Sequence, residues 1–283
     1  MKTSDASKLI AFQGAPGAYS DLACRHAFPQ METLPCTQFE DAFAAIRDGK
    51  AALGMIPIEN SVAGRVADIH HLMPDSGLFI IGEHFEPVHH HLLALPGATL
   101  GSIKTVRSHV HALGQTRSFQ REHGLIPVVA VDTAGAAKEL AESRDPSVAA
   151  IASELAGQIY GLQSLAANIE DAAHNTTRFL VMSRERARAP RGAPTVTTFV
   201  FNVRNVPAAL YKALGGFATN AINMTKLESY MVGGNFTATQ FYADVEAHPD
   251  DRPLQLALEE LEFFSTEVKI LGVYPAAPER HTK

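Results

Sequence analysis

The sequence predicts an α/β fold with mainly parallel strands, followed by a smaller α+β domain of ferredoxin-like order. Three observations carry that expectation. Short apolar runs alternate with helical patterns through residue 183, the rhythm breaks over 184–194, and the remainder reads β-α-β-β-α-β.

Residues 9–13 read as a strand closed by the glycine turn Gly14-Ala15-Pro16-Gly17, and a helix is expected near 20–27. Thr37 and Glu40 have the spacing of a capping box. The helix behind them carries Phe39, Phe43 and Ile46 and stops at Gly49. Residues 53–58 read as a buried strand, and the turn Glu59-Asn60-Ser61 is expected to lead into another helix. Further strands are expected at 79–82, 92–95, 105–107, 128–131 and 149–151, with helices at 110–122, 134–143 and 154–160. Ser108, Thr133 and Ser153 stand ahead of those helices as caps. The segment 184–194 (RERARAPRGAP) is charged, proline-containing and without periodicity, so it marks the domain boundary. Beyond it, strands are expected at 196–203, 222–229, 236–245 and 268–273 and helices at 207–216 and 253–264. Pro207 suits a first helical turn, Gly233-Gly234 suits a connection between strands, and Leu254, Leu258, Leu261 and Phe264 share one helix face. The expected domains are therefore 8–183 and 195–275.

Composition narrows the class. The 283 residues are 46% hydrophobic and 19% charged, an ordinary globular balance. The net charge is 24 − 30 = −6, and the arginines of the linker are interleaved with Ala and Pro, so nucleic acid is disfavoured as a partner. No run approaches membrane-spanning length and no secretory pattern opens the chain, so no membrane partner and a cytoplasmic location are expected. Cys24 and Cys36, the only two cysteines, are expected as free thiols.

Three segments after strands concentrate small and polar side chains: 14–20, 59–61 and 175–178. Ser, Asn, Thr and Arg at the carboxyl ends of strands suit carboxylate binding better than metal chemistry. Any one of these turns alone is explained as well by ordinary capping. Within His89-His90-His91, neighbours point to opposite faces of an extended chain, so only His89 and His91 share a side; no metal site is assigned. His109 and His111 lie near a cap and are given no chemistry.

Together the segments resemble the prephenate dehydratase family. Phe12-Gln13-Gly14-Ala15-Pro16-Gly17-Ala18-Tyr19-Ser20 is similar to its N-terminal glycine turn, Pro57-Ile58-Glu59-Asn60-Ser61 to its Pro-Ile-Glu-Asn-Ser segment, and Asn175-Thr176-Thr177-Arg178-Phe179 to its Thr-Arg-Phe signature. Weaker matches lie at 108–113, 132–137 and 150–153, so the resemblance runs in family order over roughly 8–275. It implies a two-lobed, periplasmic-binding-protein-like catalytic domain followed by a ferredoxin-like ACT domain. It also implies conversion of prephenate to phenylpyruvate, without cofactor or metal. Arogenate dehydration and a non-catalytic aromatic amino-acid sensor stand as alternatives, and no fused helical chorismate mutase is expected ahead of residue 8.

The implied roles follow the chemistry. Prephenate loses its ring carboxylate as carbon dioxide and its ring hydroxyl as water, and aromatisation drives both. The protein has to hold a dianion and present a donor to the leaving oxygen. By the resemblance Thr177 is that donor, Arg178 faces a carboxylate through its planar fork, and Asn60 and Ser61 orient the substrate. Glu59 is read equally as an acid or as a brace for the turn. Gly17, Tyr19, Ser20, Asn175, Thr176 and Phe179 are the implied substrate contacts.

The implied effector, L-phenylalanine, sits between the loop Asn205-Val206-Pro207-Ala208-Ala209-Leu210 and the strand Leu227-Glu228-Ser229, across a subunit interface of a homodimer or homotetramer. Ala208 replaces the family's glycine, and Tyr230-Met231 replaces its Arg-Pro. Altered affinity or inhibition is the expectation.

Overall fold

The chain was analysed as a computed structural model that describes residues 5–66, 69–231 and 238–281. It forms two compact units, Met1–Ala67 with His84–Phe179, and Asp68–Glu83 with Leu180–Lys283. Sequence reading places 68–83 in the first domain; here that segment is part of the second unit.

In the first unit, β1 (Leu9–Gln13) leads through the glycine turn to α1 (Tyr19–Ala27), followed by β2 (Glu32–Cys36), α2 (Phe39–Arg47), β3 (Leu53–Asn60) and the short β4 (Gly64–Arg65). The chain then contributes α3 (Ile69–Leu72) and the start of β5 (Phe79–Pro87) to the second unit and returns. β6 (His91–Ala94), β7 (Thr105–Ser108), α4 (Val110–Gly114), α5 (Arg117–Glu122), β8 (Ile126–Val129), α6 (Thr133–Ser143), β9 (Val148–Ala152), α7 (Glu154–Tyr160) and β10 (Gln163–Ala166) build its second half, and β11 (Thr176–Ser183) begins there.

Two lobes result. The first is the parallel set β2-β1-β3 with the start of β11 beside β3; its core holds Ile10, Phe12, Met55, Ile56 and Ile58, all fully buried. The second is the sheet β10-β6-β9-β7-β8, closed around Leu92, Val106, Ala149 and Ile151. Two passing segments join the lobes and bond to each other. Val88 N donates to Asn175 O (2.8 Å) and Ile169 N to His90 O (3.1 Å). That double crossing sets the residues of the two lobes opposite one another.

Several local expectations shift. The capping box of α2 is Gln38 with Asp41, one residue beyond Thr37 and Glu40. Ser108 and Thr133 are not caps: the Ser108 hydroxyl donates to Ile151 O (2.6 Å), while His109 and Asp132 cap α4 and α6. Ser153 does cap α7, accepting from Ala156 N. No helix starts directly after Ser61, because the Asn60 side chain captures the amides of Val62 and Ala63 and β4 folds back on β3; the next helix is the short α3. The helix expected at 110–122 breaks into α4 and α5, and Gln115 sits in the break. Residues 175–178 are not a turn, since β11 already starts at Thr176.

In the second unit, β12 (Thr195–Val203), α8 (Ala209–Thr219), β13 (Met224–Met231), β14 (Ala238–Val245), α9 (Arg252–Phe264) and β15 (Ser265–Pro275) run in sheet order β13-β14-β12-β15. That is the ferredoxin-like arrangement read from the sequence. Phe199, Phe201, Phe217, Leu254 and Leu261 fill the core between sheet and helices. α8 opens at Ala209 rather than Pro207, with Ala208 before it in the left-handed region (φ 60°). Gly233-Gly234 lie outside the described residues. The segment 184–194 is docked within this unit: Ala189 N donates to Val273 O and Arg188 pairs with Asp250 at 2.8 Å. Tyr230, expected in place of an arginine, is buried with its ring 4.8 Å from that of His70. Both cysteines are free thiols.

Candidate active site

The site forms where the end of β3 meets the start of β11. The two segments run side by side with opposite sense, so consecutive residues pair. Ser61 N donates to Thr176 O (2.9 Å), Asn60 Nδ2 donates to Thr177 Oγ (3.0 Å), and Arg178 Nη1 donates to Glu59 Oε1 (2.9 Å). The five expected catalytic residues are thereby brought together.

The orientation of Asn60 is fixed by the backbone. Its Oδ1 accepts from Val62 N (2.9 Å) and Ala63 N (2.8 Å). A carbonyl oxygen accepts and an amide nitrogen donates, so Nδ2 must face Asn175 Oδ1 (2.8 Å) and Thr177 Oγ. Thr177 is therefore an acceptor toward Asn60, and its own proton has no acceptor among the described residues. The hydroxyl is half-buried and free to donate.

Other expected residues have different surroundings. Ser61 is a brace: its hydroxyl donates to His174 O (2.8 Å) and accepts from Thr176 N (2.9 Å). Arg178 is only 4% exposed and held by Glu59, so it supplies a buried, paired charge and not a free fork. The same pair engages Glu59 as a partner for that cation. Phe179 is a core residue, 1% exposed. Thr176 contributes its backbone. Ser20 lies buried in the first turn of α1 and makes no hydrogen bond among the described residues, which leaves its hydroxyl available.

Gly17 fixes the approach of the two lobes. Its φ is +88°, and a Cβ there would lie 2.7 Å from Ala156 Cα, so only glycine fits. Its carbonyl accepts from the Ser153 hydroxyl (2.5 Å) and its N–H donates to buried Asp21 (2.8 Å). Pro16 O accepts from the Tyr160 hydroxyl across the same gap (2.9 Å).

Tyr19, expected as a substrate contact, is turned to the protein. Its hydroxyl lies 2.8 Å from both His89 O and His90 Nδ1. Burial pushes its phenol well above the usual range, with the charges of Glu170 and Glu86 adding to that. Sequence reasoning missed two residues here. Gln115 reaches in from the break between α4 and α5, accepting from Asn175 Nδ2 (3.0 Å) and lying 2.9 Å from His90 Nε2. His90 is 1% exposed, and burial pulls its pKa below the usual histidine range. The alternation rule was a usable signal, since it turned His90 away from His89 and His91. His89 instead donates to Glu170 (2.9 Å), and His91 meets the Ser164 hydroxyl (3.0 Å).

In the second unit, Asn205, Val206 and Pro207 are exposed, as are Leu227 (39%) and the loop's Ala208, while Ala209 and Leu210 pack on the core. Glu228 meets Lys226 Nζ at 3.3 Å on β13, beside Ser229.

Comparison with known proteins agrees with this geometry. The family model for prephenate dehydratase matches residues 10–187. A bifunctional N-acyl-homoserine lactone acylase/prephenate dehydratase of Komagataeibacter europaeus is 55% identical, over 96% of this chain and 98% of its own. A chloroplastic arogenate dehydratase/prephenate dehydratase of Arabidopsis thaliana is 40% identical, over 96% of this chain and 73% of its own. The structure of a prephenate dehydratase from Arthrobacter aurescens, in complex with L-Phe, superposes with a TM-score of 0.87 at 32% identity, covering 95% of this chain and 90% of the other. With a free hydroxyl donor held at the junction of β3 and β11, and the family's match running through both lobes, the chain belongs to the prephenate dehydratase family.

Proposed function

We propose that this chain dehydrates and decarboxylates prephenate to phenylpyruvate, with Thr177 as the donor to the departing ring hydroxyl. One observation carries the reading: Asn60, locked by two backbone amides, makes Thr177 Oγ an acceptor and leaves its proton for a ligand. A neutral hydroxyl is a weak acid, so its work is to place a hydrogen bond on the leaving oxygen while aromatisation drives the loss of carbon dioxide. The Ser20 hydroxyl is assigned to substrate orientation. Arg178, paired with Glu59, stiffens the strand that carries Thr177 and adds a positive potential for the dianion. Purified protein is to be compared on prephenate and arogenate, with Thr177→Ala alongside. The reading expects prephenate turnover that falls at least about a hundredfold in the variant. No turnover of either substrate by folded protein would overturn it.

Arogenate is the second reading, because the Arabidopsis relative is named for both substrates. Preference for arogenate would change the substrate and keep the site. The name of the Komagataeibacter relative makes N-acyl-homoserine lactone a third substrate to include in the same assay.

The second unit is proposed as an ACT domain that binds L-phenylalanine at Asn205, Val206, Pro207, Ala209 and Leu210 with Leu227, Glu228 and Ser229. Its support is the ferredoxin-like order and a relative whose structure holds L-Phe. Binding across an interface requires at least a dimer, and control requires that the ligand prefer one of two arrangements. Calorimetry with phenylalanine at millimolar concentration tests it, and absence of heat would count against it.

A further inference from the structure

We propose that Tyr19 and His90 are positioning residues for Thr177, acting through Gln115 and Asn60 as one directional relay of hydrogen bonds. The proposal rests on the reading of Thr177 as donor and extends it to side chains that touch no substrate.

The direction follows step by step from the backbone. Val62 N and Ala63 N fix the Asn60 oxygen, which turns its Nδ2 to Thr177 Oγ and to Asn175 Oδ1. With its oxygen used as an acceptor, Asn175 offers its Nδ2 to Gln115 Oε1 (3.0 Å). The Gln115 oxygen therefore faces both Asn175 and His90, and its Nε2 is left toward Asn60 Oδ1, the longest link at 3.4 Å. An amide oxygen only accepts, so His90 Nε2 must carry a hydrogen to make its 2.9 Å contact. Burial favours the neutral imidazole, which has one N–H. His90 Nδ1 is then a lone pair 2.8 Å from the Tyr19 hydroxyl, whose single proton it shares with His89 O, also 2.8 Å away.

From His90 through Gln115 and Asn60 to Thr177 every member thus donates in the same sense, and Tyr19 holds the far nitrogen of the His90 ring. The far end is anchored as well. The His90 amide donates to Glu170 Oε2 (2.9 Å), and His89 donates to Glu170 Oε1 (2.9 Å). The groups facing the His90 ring are Tyr19, from α1, and Gln115, from the break after α4; Glu170, His89 and His91 supply the surrounding charge. Losing the His90 N–H frees Gln115 to rotate its amide. That rotation would set two oxygens, or two nitrogens, face to face at Asn60 and Asn175, so a Gln115 without its His90 contact holds these two side chains less firmly against Thr177, while the Val62 and Ala63 amides keep the sense of Asn60.

The test uses wild-type protein, His90→Leu, His90→Gln and Tyr19→Phe, with steady-state kinetics on prephenate and arogenate and thermal melting. In His90→Leu, kcat should fall at least about tenfold with KM changed by less than about threefold, since substrate contacts remain while the donor loses its aim. His90→Gln returns an N–H toward Gln115 and should recover most of the loss; a change that only loosened packing would not be rescued this way. Tyr19→Phe removes one oxygen and should lower kcat in the same direction, which decides the matter if His90→Leu fails to fold. Nitrogen-15 NMR should find His90 in the Nε2–H form. Unchanged kcat in both the leucine and phenylalanine variants, or the Nδ1–H form, would overturn the relay. A wild-type protein inactive on both substrates would instead overturn the reading of Thr177.

Discussion

The most informative single change is Asn60→Asp, which alters the direction of hydrogen bonding with almost no change in shape. The new carboxylate keeps the amides of Val62 and Ala63, and both bonds strengthen because the acceptor is charged. What is lost is the Nδ2 donor to Asn175 Oδ1 (2.8 Å) and Thr177 Oγ (3.0 Å). Asn175 is 2% exposed, so its abandoned oxygen costs about 1–3 kcal/mol. The stronger amide bonds offset part of that cost, and melting should fall by only a few degrees, at roughly 2–4 °C per kcal/mol. Activity should respond far more. The Thr177 proton now has an acceptor inside the protein and turns to it, so the leaving oxygen loses its donor, worth about 10²–10⁴ in rate. The added negative charge also opposes a dianion and should raise KM. Steady-state kinetics on prephenate beside a melting curve reads both effects. A variant whose kcat stays within about threefold of wild type would refute the assignment of direction at Asn60, and with it the reason for choosing Thr177.

Four further outcomes follow from the geometry. Gly17→Ala forces a methyl to 2.7 Å from Ala156 Cα at φ +88°, so it should lower the melting temperature and kcat together; an unchanged protein would mean that the turn yields freely. Glu59→Gln removes the carboxylate 2.9 Å from the 4%-exposed Arg178, and because Glu59 is itself about a third exposed the cost should be roughly 1–3 kcal/mol by denaturant melts. Cys24 is buried and burial raises its pKa far above the ordinary thiol value, so it should resist alkylation at pH 8 until the protein unfolds. Burial lowers the pKa of His90, His91 and His109 in the folded state, so the unfolded chain binds protons first as pH falls through about 6.5, and stability should decline on that side of neutrality. Glu170 acts in the same sense at lower pH. Burial opposes ionisation there, but the His90 amide and His89 ring outweigh it and hold the carboxyl below its ordinary value. A melting temperature flat from pH 5 to 7.5 would contradict the histidine effect, and one flat from pH 5 to 3 would contradict that of Glu170.

The loop proposed to hold phenylalanine yields a sign as well as a size. Ala208 holds φ 60°, a conformation that costs an alanine about 1–2 kcal/mol and a glycine little. Against that stands the extra unfolded-state freedom of glycine, about 0.4–1 kcal/mol. Ala208→Gly should therefore be neutral to slightly stabilising, whereas glycine at an ordinary position destabilises. Phenylalanine affinity measured on the same variant separates a methyl that blocks ligand from one that merely strains the loop.

How much of this was legible in the sequence depended on whether the cause was local. β1, β3 and β9 are built on continuous apolar runs and stand where the pattern put them, and the described elements of the second unit come in the order read, with ends shifted by a few residues. β2 carries Pro35 and no fully buried residue, which is an edge strand's composition and gave no strand signal. The helix expected after Ser61 failed for a reason that lies in one side chain: Asn60 takes the amides a helix would have used. The same capture that defeated the local expectation creates the site, because it fixes the amide that points at Thr177.

Residue types at the site were legible, and their polarity was not. Asn60, Thr177 and Arg178 stood out as polar residues at strand ends, yet nothing in their spacing says which of two hydroxyl roles Thr177 plays, or that Arg178 is occupied by Glu59. That information enters through the amides of Val62 and Ala63 and the pairing of the β3 end with the β11 start, and Gln115 and His90, 55 and 30 positions from Asn60, join the network only because a helix breaks and the two lobes are crossed twice. An amide's two ends have the same outline, so its orientation is set by the hydrogen-bond partners it meets, here first by two backbone amides at Asn60 and then outward through Asn175 and Gln115. If the relay holds, substitution at Tyr19 and substitution at Asn60 should be non-additive in kcat, each removing the same aim of one proton, and a double variant no slower than Asn60→Asp alone would establish that they act on a single bond.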